Sequence, residues 1–150
     1  MNINMNSLRN RLYLVYAWAV LTAVMLLTPM PESANPDTVT FFDKIVHGVL
    51  FGVFAFLIYY AMLIIGKDEF VINPEKGAEA KKSKNIKLPI RKVLAMYLMS
   101  VFISISYSIS LEYLQVYVPG RSPNDYDLIS SVVGVALVLL FVYGGNYIEE

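Results

Sequence analysis

Residues 41–66, FFDKIVHGVLFGVFAFLIYYAMLIIG, decide the fold. Asp43 and Lys44 stand side by side, His47 (the chain's only histidine) follows three residues later, and no charge then appears until Lys67. A helix that crosses a bilayer needs roughly 20 predominantly apolar residues, and residues 45–65 meet that length. The run carries Gly48-x-x-x-Gly52 with Ala55 beyond it, a small-residue face of the kind along which membrane helices approach closely. The acid, the base and the imidazole lie at its mouth.

The rest of the chain agrees with a membrane solvent. Its 150 residues are 57% hydrophobic and 16% charged, with mean hydropathy +0.54. Soluble domains lie nearer about 45–50% apolar and about 25% charged. Three further stretches qualify as spans: 12–28, stopped by Pro29; 93–111, followed by Glu112; and 127–145. The apolar part of the first exceeds the usual 7–15 residues of a signal-peptide core, and no clean small-x-small cleavage site follows it. A retained helix is expected. The chain therefore reads as one all-α domain, an integral membrane four-helix bundle, with a flexible loop over residues 66–92.

Positive charge sets the expected direction. Arg9, Arg11, Lys67, Lys76, Lys81, Lys82, Lys84, Lys87, Arg91 and Lys92 fall on one side, and only Lys44 and Arg121 on the other. Basic residues in short loops stay in the cytoplasm, so both termini and the 66–92 loop are expected there, in a multi-pass protein of the cell membrane. The loop's lysines suit anionic lipid. Zero net charge argues against a nucleic-acid partner. The absence of cysteine removes disulfides and thiolate metal sites.

Small residues recur on the other spans. Ser100, Ser104 and Ser108 step by four toward Glu112, and Ser130 and Gly134 share that spacing. Such faces serve either the bundle itself or a homodimer through Gly48 and Gly52.

With this topology three segments deliver polar groups to one outer level. Asp43, Lys44 and His47 begin the second span, Glu112 and Gln115 end the third, and Arg121, Asp125 and Asp127 precede or begin the fourth. Asp43 and His47 are four apart and share a helix face. Pro119-Gly120 signals a turn. Ser122-Pro123-Asn124-Asp125 then fits a helix N-cap, a proline in the first helical position and an acid in the third, so Asp125 reads as a capping residue. Arg121 sits where the dipole of the fourth helix disfavours a cation, and a partner in Glu112 or Asp127 is expected. The imidazole of His47 is expected to point inward to Glu112 and Gln115, oriented by Asp43. Ionisable side chains at the edge of membrane helices are functional candidates by default.

These residues resemble a known family. DKIVHGVLFGVFAFL resembles the D-K-x-x-H-x-x-x-F opening of the VanZ-like family. ISLEYLQVYVPGRSPNDYDLISSVVG resembles its second signature: E-x-x-Q, then P-G-R-S, then an Asp leading a helix that contains a Gly. Asp43, Lys44, His47, Phe51, Glu112, Gln115, Arg121, Asp127 and Gly134 fall on matching positions, and Ser131 stands where the family usually has Asn. The resemblance implies a small multi-pass membrane protein. It also suggests a connection to teicoplanin, since the family's namesake is linked to low-level resistance to that glycopeptide.

Three functions compete. The first is a binding protein whose outer cluster (Asp43, Lys44, His47, Glu112, Gln115, Arg121, Asp127) holds the head group of a membrane lipid, a cell-wall precursor or a glycopeptide-related ligand. The second is a membrane-embedded hydrolase or transferase, with His47 as acid or base, Glu112 or Asp127 as its partner, and Arg121 and Lys44 clamping a phosphate. The third, transport, ranks last because the ionisable groups lie at the edge and not at mid-membrane. No G-x-S-x-G nucleophile motif occurs. His47, Glu112 and Asp127 sit on three helices without the spacing of a metal motif, so no metal or other cofactor is assigned. Four acids against two fixed cations favour an amine-bearing or zwitterionic head group, or a cation, over a bare phosphate.

Overall fold

The computed structural model describes residues 5–29, 36–72, 89–121 and 123–147. They form four helices: α1 (Met5–Leu27), α2 (Pro36–Ile72), α3 (Ile90–Gln115) and α4 (Asp125–Tyr147). Each contains a segment long and apolar enough to cross a membrane: Leu8–Leu27, Phe41–Leu63, Ile90–Gln115 and Asp125–Val142. Most of the 66–92 loop, with Lys76, Lys81, Lys82, Lys84 and Lys87, lies outside the described residues, as does Ser122.

Local chemistry explains the helix ends. Proline disfavours helical geometry in the residue before it, and α1 stops at Leu27, two residues short of Pro29. α2 outruns the expected 45–65. Pro36 occupies its first position, where a missing N–H costs nothing, and Gly66 is carried inside it, a tolerated penalty of about 1 kcal/mol. Its 37 residues extend about 55 Å at 1.5 Å each, so it projects beyond the roughly 30 Å hydrocarbon core. α3 runs past residue 111 to Gln115, which places Glu112 and Gln115 on its last turn.

Between α3 and α4 the Arg121 N–H donates to the Val118 carbonyl, and Gly120 has φ 76°. Proline then glycine at the two central positions is the pattern of a type II turn. The cap of α4 is Asn124. Its Oδ1 accepts the Tyr126 N–H at 3.1 Å, and its carbonyl accepts the Asp127 N–H at 2.9 Å. The expected cap at Ser122 is therefore displaced by two residues, Pro123 precedes the cap, and Asp125 is an exposed first-turn residue. An Asn side chain closes this local ring readily.

Contacts along the helices give the register. Going along α2 from Lys44 through Gly48 to Gly52, the partners on α4 advance from Asp127 through Ser130 to Gly134 and Val138. On α3 they retreat from Glu112 through Tyr107 to Tyr97, reached from His47, Phe51 and Tyr59. α2 and α4 thus run one way, and α1 and α3 the other. α2 packs against all three neighbours. Half of its span is buried, against 22% or less for the others.

The closest approach is between α2 and α4. A Cβ on Gly134 would overlap the Gly48 carbonyl oxygen, and one on Gly52 would come within 2.9 Å of the Gly134 carbonyl oxygen. The Gly48/Gly52 face considered for a homodimer is occupied by α4 of the same chain. Buried Ser100, Ser104 and Ser108 give α3 a similarly slim inner face. Side chains also reach across to neighbouring carbonyls: Trp18 Nε1 donates to Leu50 at 2.9 Å, and Tyr107 donates to Ala19 at 2.8 Å. The outward faces carry exposed Tyr16, Phe102, Leu137, Leu140 and Phe141. A soluble monomer rarely exposes apolar surface this continuously; lipid contact accounts for it.

Candidate functional site

The site begins at the open end of α1. The last four carbonyls of a helix have no partner within it, and three of the four here are met by side chains. Thr28 Oγ1 donates to Val24, Arg121 Nη2 to Met25 at 3.3 Å, and Gln115 Nε2 to Leu26 at 3.1 Å. Arg121 Nε adds a bond to the Thr28 carbonyl at 3.1 Å. A guanidinium at a helix C-terminus also meets the favourable end of its dipole.

Arg121 Nη1 reaches Asp43 Oδ1 at 3.2 Å. The expected pairing with Glu112 or Asp127 is thus replaced by Asp43, because α1's carbonyls draw the guanidinium away from α4 and toward the mouth of α2. Lys44 Nζ takes Asp127, at 3.6 Å from Oδ1, and lies 5.7 Å from the centroid of the Tyr126 ring. Gln115, expected beside His47, is buried and turned to α1.

His47 occupies the centre, with 1% of its surface exposed. Its Nδ1 lies 2.9 Å from the Asp43 backbone carbonyl and 4.0 Å from the Asp43 carboxylate. A carbonyl only accepts, so Nδ1 must carry a proton. Asp43 does orient the ring, but through its main chain. In the neutral ring Nε2 then holds a lone pair. It faces Glu112 Oε2 at 3.8 Å and has no hydrogen-bond partner among the described residues.

Glu112 uses its other oxygen structurally: Oε1 accepts the Asn124 N–H at 2.5 Å. Asp127 is 4% exposed, and its Oδ1 also lacks a hydrogen-bond partner among the described residues. Leaving a buried polar atom unmatched costs about 1–3 kcal/mol. Two such atoms in one cluster are a reason to look for a ligand. Ser131 is buried, and its hydroxyl donates to the Asp127 carbonyl at 2.9 Å, so it faces main chain and not the site.

The structure therefore brings together Asp43, Lys44, His47, Glu112 and Asp127, while Gln115 and Arg121 close the end of α1. Asp43, Glu112 and Asp127 stand against Lys44 and Arg121, which leaves one negative charge in excess when His47 is neutral. A ligand atom from each of Asp43, His47 and Asp127 lies within 4.8 Å of the others; Glu112 is not in that group. Sequence reasoning missed Asn124, whose N–H anchors Glu112, and the α1 carbonyls. The Asn124–Tyr126 cap was legible as an Asx turn; the carbonyls were implied only by Pro29 ending α1.

No curated protein and no solved structure matches the chain. A family model described as VanZ/LLP1 matches residues 3–145 of the 150, and with four helices fit to cross a membrane the chain belongs to the VanZ-like family of membrane proteins.

Proposed function

We propose that this protein binds the head group of an envelope lipid or of a lipid-linked cell-wall precursor at the polar end of its bundle. The observation that carries the reading is a pair of buried atoms at the membrane edge without a hydrogen-bond partner among the described residues: His47 Nε2, and Asp127 Oδ1, which is held only by the 3.6 Å ion pair to Lys44. The ten-to-two bias of basic residues puts this end outside and both termini in the cytoplasm. A head group held there changes what a glycopeptide such as teicoplanin meets at the cell surface. The excess acid selects a head group bearing an amine or another cationic group.

Glu112→Gln tests this with little risk to the fold. Its amide oxygen still accepts the Asn124 N–H, while the negative charge beside His47 disappears. Mass spectrometry of lipids that co-purify with the wild type should show a species that is depleted in Glu112→Gln and His47→Ala. Identical lipid profiles in all three proteins would refute the reading.

One observation favours a second reading, a hydrolase or transferase acting on the same head group. In the neutral ring His47 Nε2 has an unused lone pair while the Asp43 carbonyl holds the proton on Nδ1, the arrangement of an oriented general base. Conversion of the co-purified lipid during incubation, lost in His47→Ala, separates catalysis from binding.

A further inference from the structure

We infer that Asp43, His47 and Asp127 form a binding site for a divalent transition-metal ion, of the Mn2+ or Zn2+ class. The inference rests on the polar end being the functional site, and it names what the unmatched acceptors are for.

Three observations converge. First, one ligand atom from each residue lies within 4.8 Å of the others, although they come from two helices. Ligands at about 2 Å from an ion stand roughly 3–4 Å apart, so side-chain rotation of about an ångström completes the set. Second, His47 and Asp127 are buried, and each holds a ligand atom without a hydrogen-bond partner among the described residues, that of Asp127 being held only by its ion pair with Lys44. Third, the Asp43 carbonyl fixes the proton on Nδ1 of His47, which leaves Nε2, 3.8 Å from Glu112 Oε2, as the nitrogen that ligates. Ligating histidines are oriented in this way, with the second ring nitrogen tied to a carbonyl or carboxylate.

The donor set selects the ion. Imidazole suits zinc and its neighbours, carboxylates suit manganese, and a mixed set of one nitrogen and two oxygens fits either. Mg2+ and Ca2+ prefer all-oxygen shells. Lys44, 3.6 Å from Asp127 Oδ1, is the resident cation with which an ion competes. An ion also changes what the site attracts. One negative charge in excess becomes one positive, so the ion-free site favours the amine of a head group and the ion-bound site favours its phosphate.

The test uses the full chain purified in detergent and stripped of metal. Mn2+ or Zn2+ is added in the absence of added lipid, and retained metal is measured by elemental analysis after gel filtration. The wild type should retain one ion per chain and unfold at a higher temperature with metal than without. Asp127→Asn and His47→Gln, which remove direct ligands, should weaken retention by more than the roughly 10- to 100-fold typical of losing an outer-shell partner. Lys44→Met should bind the ion more tightly than the wild type, a gain that a merely structural lysine would not give. The inference is overturned if neither wild type nor Lys44→Met retains metal, or if Asp127→Asn and His47→Gln retain as much as wild type. Lipid retention measured with and without a chelator keeps the two ideas apart. Lipid kept in a protein that takes no metal overturns the ion alone; metal bound where no lipid is ever retained overturns the head-group reading alone.

Discussion

Arg121 makes three contacts with three donor nitrogens: Nε to the Thr28 carbonyl, Nη1 to Asp43 and Nη2 to the Met25 carbonyl. Lysine carries the same charge but only a point donor. Arg121→Lys should therefore lose most of the stability that Arg121→Ala loses, about 3 kcal/mol or more for a largely buried pair robbed of one partner. Thermal unfolding in detergent measures both, and a lysine variant as stable as wild type would show that charge alone matters. That Arg121 needs a carboxylate followed from its place before a helix start. Which carboxylate did not, because its other partners are main-chain carbonyls and every residue has one. The same ambiguity hid Gln115, read as a neighbour of His47 and found on Leu26. His47 was legible in burial and direction, since its apolar surroundings and its spacing from Asp43 left it one inward face.

Among the elements, the α2–α4 contact sets the geometry on which the site depends. A methyl group at Gly134 would overlap the Gly48 carbonyl oxygen, one at Gly52 would lie 2.9 Å from the Gly134 carbonyl oxygen, and one at Gly48 would lie 3.2 Å from that of Ser130. Backbone yields less readily than a side-chain tip, and overpacking costs about 1–3 kcal/mol or occasionally more. Alanine should therefore destabilise in the order Gly134, Gly52, Gly48, with Gly48→Ala at the low end of that range. Equal unfolding temperatures for the three variants would contradict the packing. The small-residue pattern was plain in the sequence, but a GxxxG face does not name its partner. Helix existence was legible from apolar length; helix ends were not. α2 runs on through Gly66 because flanking charge and one glycine do not stop a helix in water, whereas Pro29 does stop α1.

For the whole molecule, the question of direction rests on charge. An impermeant thiol reagent can probe a cysteine placed at Ser83 or, separately, at Ser33, in a chain with no cysteine of its own. In intact cells Ser33→Cys should label and Ser83→Cys should not, because basic loops are retained inside. The reverse pattern would turn the polar end toward the cytoplasm, and a cell-wall ligand would then be out of reach.

A carboxylate is planar, so its two oxygens turn together. Glu112 gives one to the N–H at the entry of α4 and presents the other to His47. Occupancy at the imidazole is therefore expected to couple to order in residues 116–121, and such linkage is reciprocal. Affinity becomes tunable from positions that touch no ligand. Gly120 has a positive φ that an L-residue adopts only with strain. Gly120→Ala, in a turn next to Arg121 but with no side chain to offer a ligand, should loosen ligand retention together with the loop, and ligand should in turn slow hydrogen exchange at the amides of that loop.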